Sequence, residues 1–287
     1  MTSWRNPDPT HRIPLSAERG IAIDLKISAL SKPGGRTINE DAYGVWSNSS
    51  ACFCVISDGA GGHLGGEVAS QLAVKQVLEW FYQTPDTGAE ALAAALKSAN
   101  DAIVDEQRRT AEKSDMRATI LVLAVDTAHA TAIWGHIGDT RLYCFRRQRI
   151  IAQTHDHSVV QSMVDAGYLA PQDLRASPRR NALLAALGDA ETFEPSIETL
   201  QFPVRDGDVF LLCTDGFWEY IDEAQMEQSL ALTQSPEAWL RQLESQVLEH
   251  GRVDQDNYTA LVISCSQPEE RTQMPDAPLS SDRSREK

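Results

Sequence analysis

The spacing of apolar residues divides this chain into predicted strands and helices. Residues 21–30 alternate apolar with polar side chains, as expected of a strand with one buried face, and residues 51–57 form a short, almost wholly apolar run. Residues 67–82 instead repeat apolar side chains every three or four positions, which predicts an amphipathic helix. A second helix is predicted to begin near Thr87, because Thr87 and Glu90 have the spacing of a capping box.

Strands are predicted more densely after residue 117. They occupy residues 118–125, 131–137, 141–145, 197–202, 208–213 and 258–265. The first three are separated by short turns, which predicts an antiparallel meander. Between the strands, residues 156–167 and 235–250 have helical spacing, with Gly167 placed to end the first helix and Ser235 to cap the second. The polar, irregular residues 173–180 are predicted to form a surface flap.

This order of elements predicts the fold class. Runs of strands interrupted by pairs of helices are typical of α+β proteins rather than of a doubly wound parallel sheet. We therefore expect a β-sandwich of two antiparallel sheets flanked by helices on both sides. One domain should cover residues 21–266, after a polar N-terminal segment (1–20) and before a C-terminal tail (267–287) whose Pro, Ser and charge content predicts disorder.

Composition and charge narrow the classes of partner. The formal net charge is −15, from 41 acidic against 26 basic residues, and such a balance repels both nucleic acid and anionic lipid. The first 20 residues lack the apolar core of a signal peptide, and no apolar run approaches about 18 residues, so we expect a cytoplasmic protein. The five cysteines lie in apolar, strand-like runs, which indicates buried thiols in a reducing compartment.

Five aspartates mark the ends of predicted strands: Asp41, Asp58, Asp139, Asp215 and Asp256. A strand end holds a side chain rigidly, and a neighbouring glycine lets the backbone approach a ligand. If these ends converge, the carboxylates need cations in order to stay ionised together, and oxygen ligands of this kind suit magnesium or manganese. Asp-Gly is also a common turn dipeptide, however, so the residues alone leave the turn and the metal interpretations open.

Longer motifs around these aspartates resemble, in the same order, those of the type 2C metal-dependent protein phosphatase (PPM) family. They are GGRTINEDA (34–42), SDGAGGH (57–63), GDTRL (138–142), DHS (156–158), TDGFW (214–218) and DNYT (256–259). Together they span nearly the whole predicted domain. The compact length and the short flap are similar to the stand-alone bacterial branch of the family, and the resemblance implies the same sandwich fold.

The resemblance also implies a set of ligands for two manganese or magnesium ions, or for three. They are Glu40, Asp41, Asp58, the backbone carbonyl of Gly59, Asp139, Asp215 and Asp256. Asp58 would bridge two ions, while Glu40 and Asp41 would act mostly through bound waters. Asp139 and Asp215 would together hold a weaker third ion.

The catalytic residues implied by the resemblance are Asp58 and Arg36. Arg36 would grip the substrate phosphate, since a guanidinium offers a bidentate fork and keeps its charge. A metal-bridging water would attack phosphorus directly, without a phosphoenzyme. Ala60 replaces the histidine that animal members use as general acid, which leaves the proton donor unassigned. His63, like the histidines at positions 136, 155 and 157, is expected to be structural.

The function implied is that of a monomeric protein serine/threonine phosphatase, which acts on phosphorylated proteins and reverses a partner kinase. Two alternatives stay open: an inactive signalling module with the same fold, and a two-metal hydrolase of a small phosphoester. Retention of Asp58, Asp215 and Asp256 argues against the inactive module. The small-phosphoester hydrolase would have the same metal core, because specificity would lie in the flap and the surrounding surface.

Overall fold

The computed structural model describes residues 22–61, 65–109 and 114–268, which form two antiparallel sheets packed face to face with helices on both outer faces. The expected fold class is therefore confirmed. Residues 1–21 and 269–287 lie outside the described residues, and with them the N-terminal segment and almost all of the tail. No helix in the described part of the chain is long and apolar enough to cross a membrane.

Most predicted strands and helices occur in the expected order, and several elements that were not predicted, such as a strand at Ala42–Ser47 and a helix at Glu223–Ala231, lie between them. The strands are β1 (Asp24–Lys32), β2 (Ala42–Ser47), β3 (Ala51–Ser57), β4 (Gly59–Ala60), β5 (Arg117–Ala118), β6 (Ile120–Asp126), β7 (Thr131–Ile137), β8 (Arg141–Arg146), β9 (Arg149–Gln153), β10 (Ser196–Ile197), β11 (Phe202–Pro203), β12 (Val209–Cys213) and β13 (Tyr258–Ser266). The helices are α1 (Gly65–Gln83), α2 (Ala89–Arg109), α3 (Val159–Asp165), α4 (Asp215–Trp218), α5 (Glu223–Ala231) and α6 (Pro236–His250).

The first sheet has the strand order β1-β13-β12-β8-β9, and the second has the order β10-β7-β6-β3-β2. Side chains on β3 alternate between two apolar layers: Phe53 and Val55 face α1 and α2, while Cys54 and Ile56 face the first sheet. Phe53 stacks on Phe81 of α1, with ring centroids 3.8 Å apart. Burial on both faces explains why this strand is apolar along almost its whole length.

The other outer face is covered by α3 to α6. Trp239 of α6 and Phe217 of α4 pack with Leu211 of β12, and each such buried side chain contributes about 1.5–3 kcal/mol. Helix α6 begins as predicted, because the Ser235 hydroxyl accepts the Ala238 N–H at 3.1 Å. The five cysteines are buried and free, as the sequence indicates, and four of them lie between the two sheets.

The predicted meander is wrong. Strands β6 and β7 do pair, but β8 pairs with β9 and β12 in the first sheet, so the chain crosses between the sheets at residues 138–140. Glycine at position 138 permits this crossing, since its φ is +100°. The sequence shows three similar apolar runs and carries no local sign of which sheet the third one joins.

The single strand predicted at 197–202 is also wrong, because two short strands, β10 and β11, pair separately with β7. Between them the chain leaves the sheet, and Leu200 is exposed. The capping box predicted at Thr87 is replaced by a different start to α2: Asp86 accepts the Gly88 N–H at 2.7 Å, and the helix begins at Ala89.

Candidate metal centre

The five strand-end aspartates meet at one edge of the sandwich, and both sheets contribute to them. Asp41 directly precedes β2 and Asp58 directly follows β3, both in the second sheet. Asp139 lies where the chain crosses from β7 to β8. Asp215 is the first residue of α4, directly after β12, and Asp256 lies two residues before β13. The sequence left it open whether these strand ends converge, and the structure brings all five together.

Electrostatics show how closely these carboxyl groups are crowded. Burial raises the pKa of Asp58 well above its usual range, and the charges of the other four aspartates raise it further. Burial is also the largest cause raising the pKa of Asp41 and of Asp215, each to about 7. A cluster of this kind is unfavourable unless protons or cations compensate for its negative charge.

Among the described residues, two buried carboxylate oxygens have no hydrogen-bond partner, Oδ1 of Asp41 and Oδ1 of Asp215. A buried polar atom without a partner costs about 1–3 kcal/mol, so such atoms at one edge indicate a missing ligand. Hard oxygen donors of this type fit magnesium or manganese. The described residues contain no group of three or more His, Cys, Asp or Glu side chains already arranged to hold an ion, so the fit rests on the donor chemistry and on these two oxygens.

Glu40 and Gly59 are brought together by backbone contacts. The Gly59 N–H donates to the Glu40 carbonyl at 3.1 Å, and the Ser70 hydroxyl of α1 donates to the same oxygen. A Cβ at position 59 would collide with the Gly66 carbonyl at the start of α1, so only glycine fits there. Burial and the charge of Asp256 raise the pKa of Glu40, which places this carboxyl on the rim of the cluster.

Arg36 stands at the open side of the cluster. Its Nη2 donates to Asp256 Oδ2 at 2.8 Å, while its side chain is 54% exposed. An exposed ion pair of this kind contributes about 0–1 kcal/mol, so a phosphate can take the place of Asp256 as partner at little cost.

Asn257 holds the loop that carries Arg36, although the sequence reasoning gave it no role. Its buried amide donates to the carbonyls of Pro33 and Ile38 at 2.9 Å each and accepts the Glu40 N–H at 2.8 Å. The only sequence signal is an amide directly before an apolar strand. Its three bonds reach more than 200 residues back along the chain, so no local pattern could have revealed them.

Threonines at strand ends form a second group that the sequence reasoning missed. The Thr119 hydroxyl accepts the Asp58 N–H at 3.0 Å and pairs with the Thr140 hydroxyl at 2.6 Å. The Thr214 hydroxyl donates to Asp41 Oδ2 at 2.9 Å and accepts the Thr259 N–H at 3.0 Å. The sequence feature that could have revealed these threonines is a hydroxyl residue at the end of an apolar strand, close to an aspartate.

Comparison with known proteins identifies the family. A family model described as protein phosphatase 2C matches residues 34–255, which is most of the chain. This chain belongs to the protein phosphatase 2C family.

Its curated relatives include the serine/threonine phosphatase stp of Listeria innocua, which is 32% identical over 197 residues, or 67% of this chain and 77% of that protein. The crystal structure of the Mycobacterium tuberculosis serine/threonine phosphatase PstP is 29% identical, with a TM-score of 0.73 over 85% of this chain and 99% of that one. A second structure, of the PstP catalytic domain in complex with two manganese ions, is 27% identical, with a TM-score of 0.73 over 85% of this chain and 100% of that one.

Within this phosphatase 2C fold, three histidines lie near the Asp139 turn. His136 Nε2 contacts the His155 carbonyl at 2.9 Å and its ring stacks on His157 at 4.7 Å between centroids. The His157 Nδ1 accepts the Gly138 N–H at 3.3 Å, and burial lowers the pKa of His157 to about 4. The His157 Nε2 contacts the Ser196 hydroxyl at 2.8 Å, so both nitrogens of this neutral imidazole are bonded, and its structural role stays a prediction. His63 lies outside the described residues.

The predicted flap packs against α4. It begins after a 3₁₀ turn at Pro171–Asp173, and the Arg175 guanidinium donates to the Trp218 and Ile221 carbonyls and to Glu223. Arg180 pairs with Glu219, whose charge also raises the pKa of Asp215. The flap is therefore attached to the same short helix that begins with Asp215.

Proposed function

We propose that this chain is a metal-dependent protein serine/threonine phosphatase that hydrolyses phosphoserine and phosphothreonine. The observation that carries the proposal is the convergence of the family motifs on one edge of the sandwich, where Asp41 and Asp215 each bury an unpartnered oxygen. The family and its named relatives support the reaction class. Retention of the acidic ligands argues against an inactive signalling module.

The proposed ligands divide by position. Asp58 lies at the centre of the cluster and would contact two ions. The Gly59 carbonyl, Asp215 and Asp256 would be further ligands of these two ions. Glu40 and Asp41 would act mostly through waters, whereas Asp139 and Asp215 would share a third ion. Manganese or magnesium bound there would supply Lewis acidity that lowers the pKa of water and offsets the charge on the phosphoryl group.

The protein's own residues would bind and orient the phosphate. Arg36 is exposed, positively charged and beside Asp256, so its guanidinium can donate two hydrogen bonds to phosphate oxygens at the open side of the cluster. Asn257 fixes the backbone on both sides of Arg36 and thereby limits where the guanidinium can reach. The proton donor to the leaving group stays unassigned, because position 60 is an exposed alanine.

The proposal also covers the oligomeric state, the location and the substrates of the enzyme. We infer a monomeric, cytoplasmic enzyme whose substrates are proteins phosphorylated by a serine/threonine kinase. The strongly acidic chain supports a soluble monomer, since a high net charge opposes association. We also propose that the domain covers residues 21–266, because the last described strand ends at Ser266.

The reaction is tested by adding and removing metal. The purified chain should hydrolyse p-nitrophenyl phosphate and a phosphothreonine peptide with manganese, lose both activities in excess EDTA, and regain them when manganese is restored. Asp215→Asn should remove the activity. Ser57→Ala should largely keep it, since the Ser57 hydroxyl donates only to the Thr119 carbonyl. No hydrolysis of either substrate would sink the enzyme proposal, and activity on the small ester alone would favour the small-phosphoester hydrolase.

Arg36→Ala is expected to lower kcat/KM for the phosphopeptide by about tenfold or more, because hydrogen bonds to a charged group contribute about 1.5–3 kcal/mol. The kcat/KM of Arg36→Lys should fall between those of the wild type and Arg36→Ala, since lysine keeps the charge but cannot make the bidentate contact. Arg149→Ala is the matched control, because Arg149 is also exposed and also bonds a carboxylate at 2.8 Å, that of Glu227. Equal kinetics for the two alanine variants would contradict the phosphate-binding role.

A further inference from the structure

The turn that carries Asp139 is held by a tryptophan from the other side of the cluster. The Trp218 indole N–H donates to the backbone carbonyl of Asp139 at 2.9 Å, and both groups are buried. Other bonds to this turn come from elsewhere: His157 donates its N–H to the Gly138 carbonyl at 2.9 Å, and Thr119 pairs with Thr140. Trp218 therefore adds a connection between the Asp139 turn and α4.

Helix α4 contains four residues, and Asp215 and Trp218 are its first and last. One rigid turn of helix thus joins the Asp215 carboxylate to the indole that bonds Asp139. The two carboxylates repel each other when both are ionised, because they carry like charges. Something other than their own attraction must fix the distance between them.

The face of the Trp218 ring is in contact with a buried arginine. The guanidinium carbon of Arg141 lies 3.5 Å from the ring centroid, in a cation–π contact. Arg141 in turn makes two bonds to the Asp156 carboxylate, at 2.9 and 2.7 Å, and both side chains are nearly inaccessible to solvent. A ring fixed on its face and bonded through its edge has little freedom to rotate.

We propose that Trp218 is a positioning residue, which sets the separation of Asp139 and Asp215 and thereby the affinity of the metal ion that these two carboxylates share. The inference rests on the proposed function. It assigns to the indole N–H a role that a purely packing tryptophan would not have. Because Trp218 acts through the backbone of Asp139, it should affect the affinity of this ion and leave the affinities of the two metal ions at Asp58 unchanged.

The chain offers a matched control in Trp239. This tryptophan is also buried, belongs to the same apolar layer, and donates its indole N–H to the Ser229 hydroxyl at 2.9 Å, in α5. Trp218→Phe and Trp239→Phe therefore remove the same kind of bond from the same layer. Manganese binding by both variants and the wild type would be measured by titration calorimetry, together with Tm in EDTA.

Trp218→Phe should weaken the lowest-affinity manganese site about tenfold, as is typical when a residue that orients a metal ligand is changed, and leave the tighter sites unchanged. Trp239→Phe should lower Tm similarly but bind manganese like the wild type. In an Asp139→Asn background, Trp218→Phe should cause no further loss. Manganese isotherms of Trp218→Phe that match the wild type would overturn the inference. Wild-type chain that binds no manganese would overturn the proposed function with it.

A second measurement needs no folded Trp218 variant. The chain has six tryptophans, whose indole N–H signals can be followed by ¹⁵N-edited NMR during a magnesium titration. The Trp218 signal should shift over the concentrations that fill the weakest site, while the Trp239 signal should stay in place. A Trp218 signal that does not move as that site saturates would count against the inference.

Discussion

Asp58→Asn is expected to lower kcat for manganese-dependent hydrolysis of p-nitrophenyl phosphate by about a thousandfold. The reason is that two metal ions held at the reacting phosphate lower the activation barrier by several kcal/mol. Asparagine keeps the size of the side chain but removes the charge at the centre of the cluster. The structure places the other four aspartates around this one group, so no neighbour can substitute for it. Steady-state kinetics over a range of manganese concentrations would measure the loss.

The same substitution should raise Tm in EDTA, which separates a lost ligand from a misfolded chain. Burial and four neighbouring charges raise the pKa of Asp58 in the folded state. At neutral pH the unfolded chain therefore releases this proton more readily than the folded chain, which lowers the free energy of unfolding; below the unfolded pKa this loss disappears. Asp101→Asn, on the exposed face of α2, is the control and should change neither property. An active Asp58→Asn enzyme would contradict the proposed centre.

Asn257→Ala should lower kcat/KM by about a hundredfold and destabilise the fold by about 2–4 kcal/mol. The first effect follows because a displacement of about 1 Å in a binding residue can cost that much, and Arg36 lies in the loop that Asn257 holds. The second follows because three hydrogen bonds are lost and the Pro33 and Ile38 carbonyls lose a buried partner. Peptide kinetics and urea unfolding would measure the two effects.

Asn48→Ala is the control for this variant. Asn48 also accepts hydrogen bonds from nearby backbone, at Ser50 and Ala51, but it lies in the β2–β3 hairpin, at the opposite end of these strands from Asp58. It should lose stability while keeping kcat/KM. If both asparagine variants were equally active, Asn257 would be a stabilising residue without influence on the site.

The parts of the fold that follow local rules could be predicted from the sequence. The almost wholly apolar β3 and the capped helix α6 occupy the predicted residues, because a continuous apolar run, a 3.6-residue period and a Ser-Pro start are local signals. The aspartates at the strand ends were found for the same reason. Their individual roles came from resemblance to a family, since a carboxylate beside a glycine has the same appearance in a turn and in a metal site.

Features that depend on distant partners could not be predicted. The apolar run of β8 does not reveal that it joins the other sheet, because both sheets offer it equivalent apolar neighbours. Trp218 and Asn257 appear in the sequence as one more aromatic residue and one more amide. Their importance lies in bonds to residues about 80 and more than 200 positions away, and only the folded chain brings those atoms together.

The place of β13 in its sheet has a consequence for how the protein is made. It follows every other strand that the structure describes, yet it lies between β1 and β12 and carries Asp256 and Asn257 at its start. A ribosome must therefore release almost all of the domain before β13 can enter the first sheet between these two strands. Until then β1 and β12 have no strand between them, and Asp256 cannot join the other carboxylates of the cluster. The nascent chain should thus remain without phosphatase activity during translation, and the activity should appear in a single step once synthesis has passed this last strand.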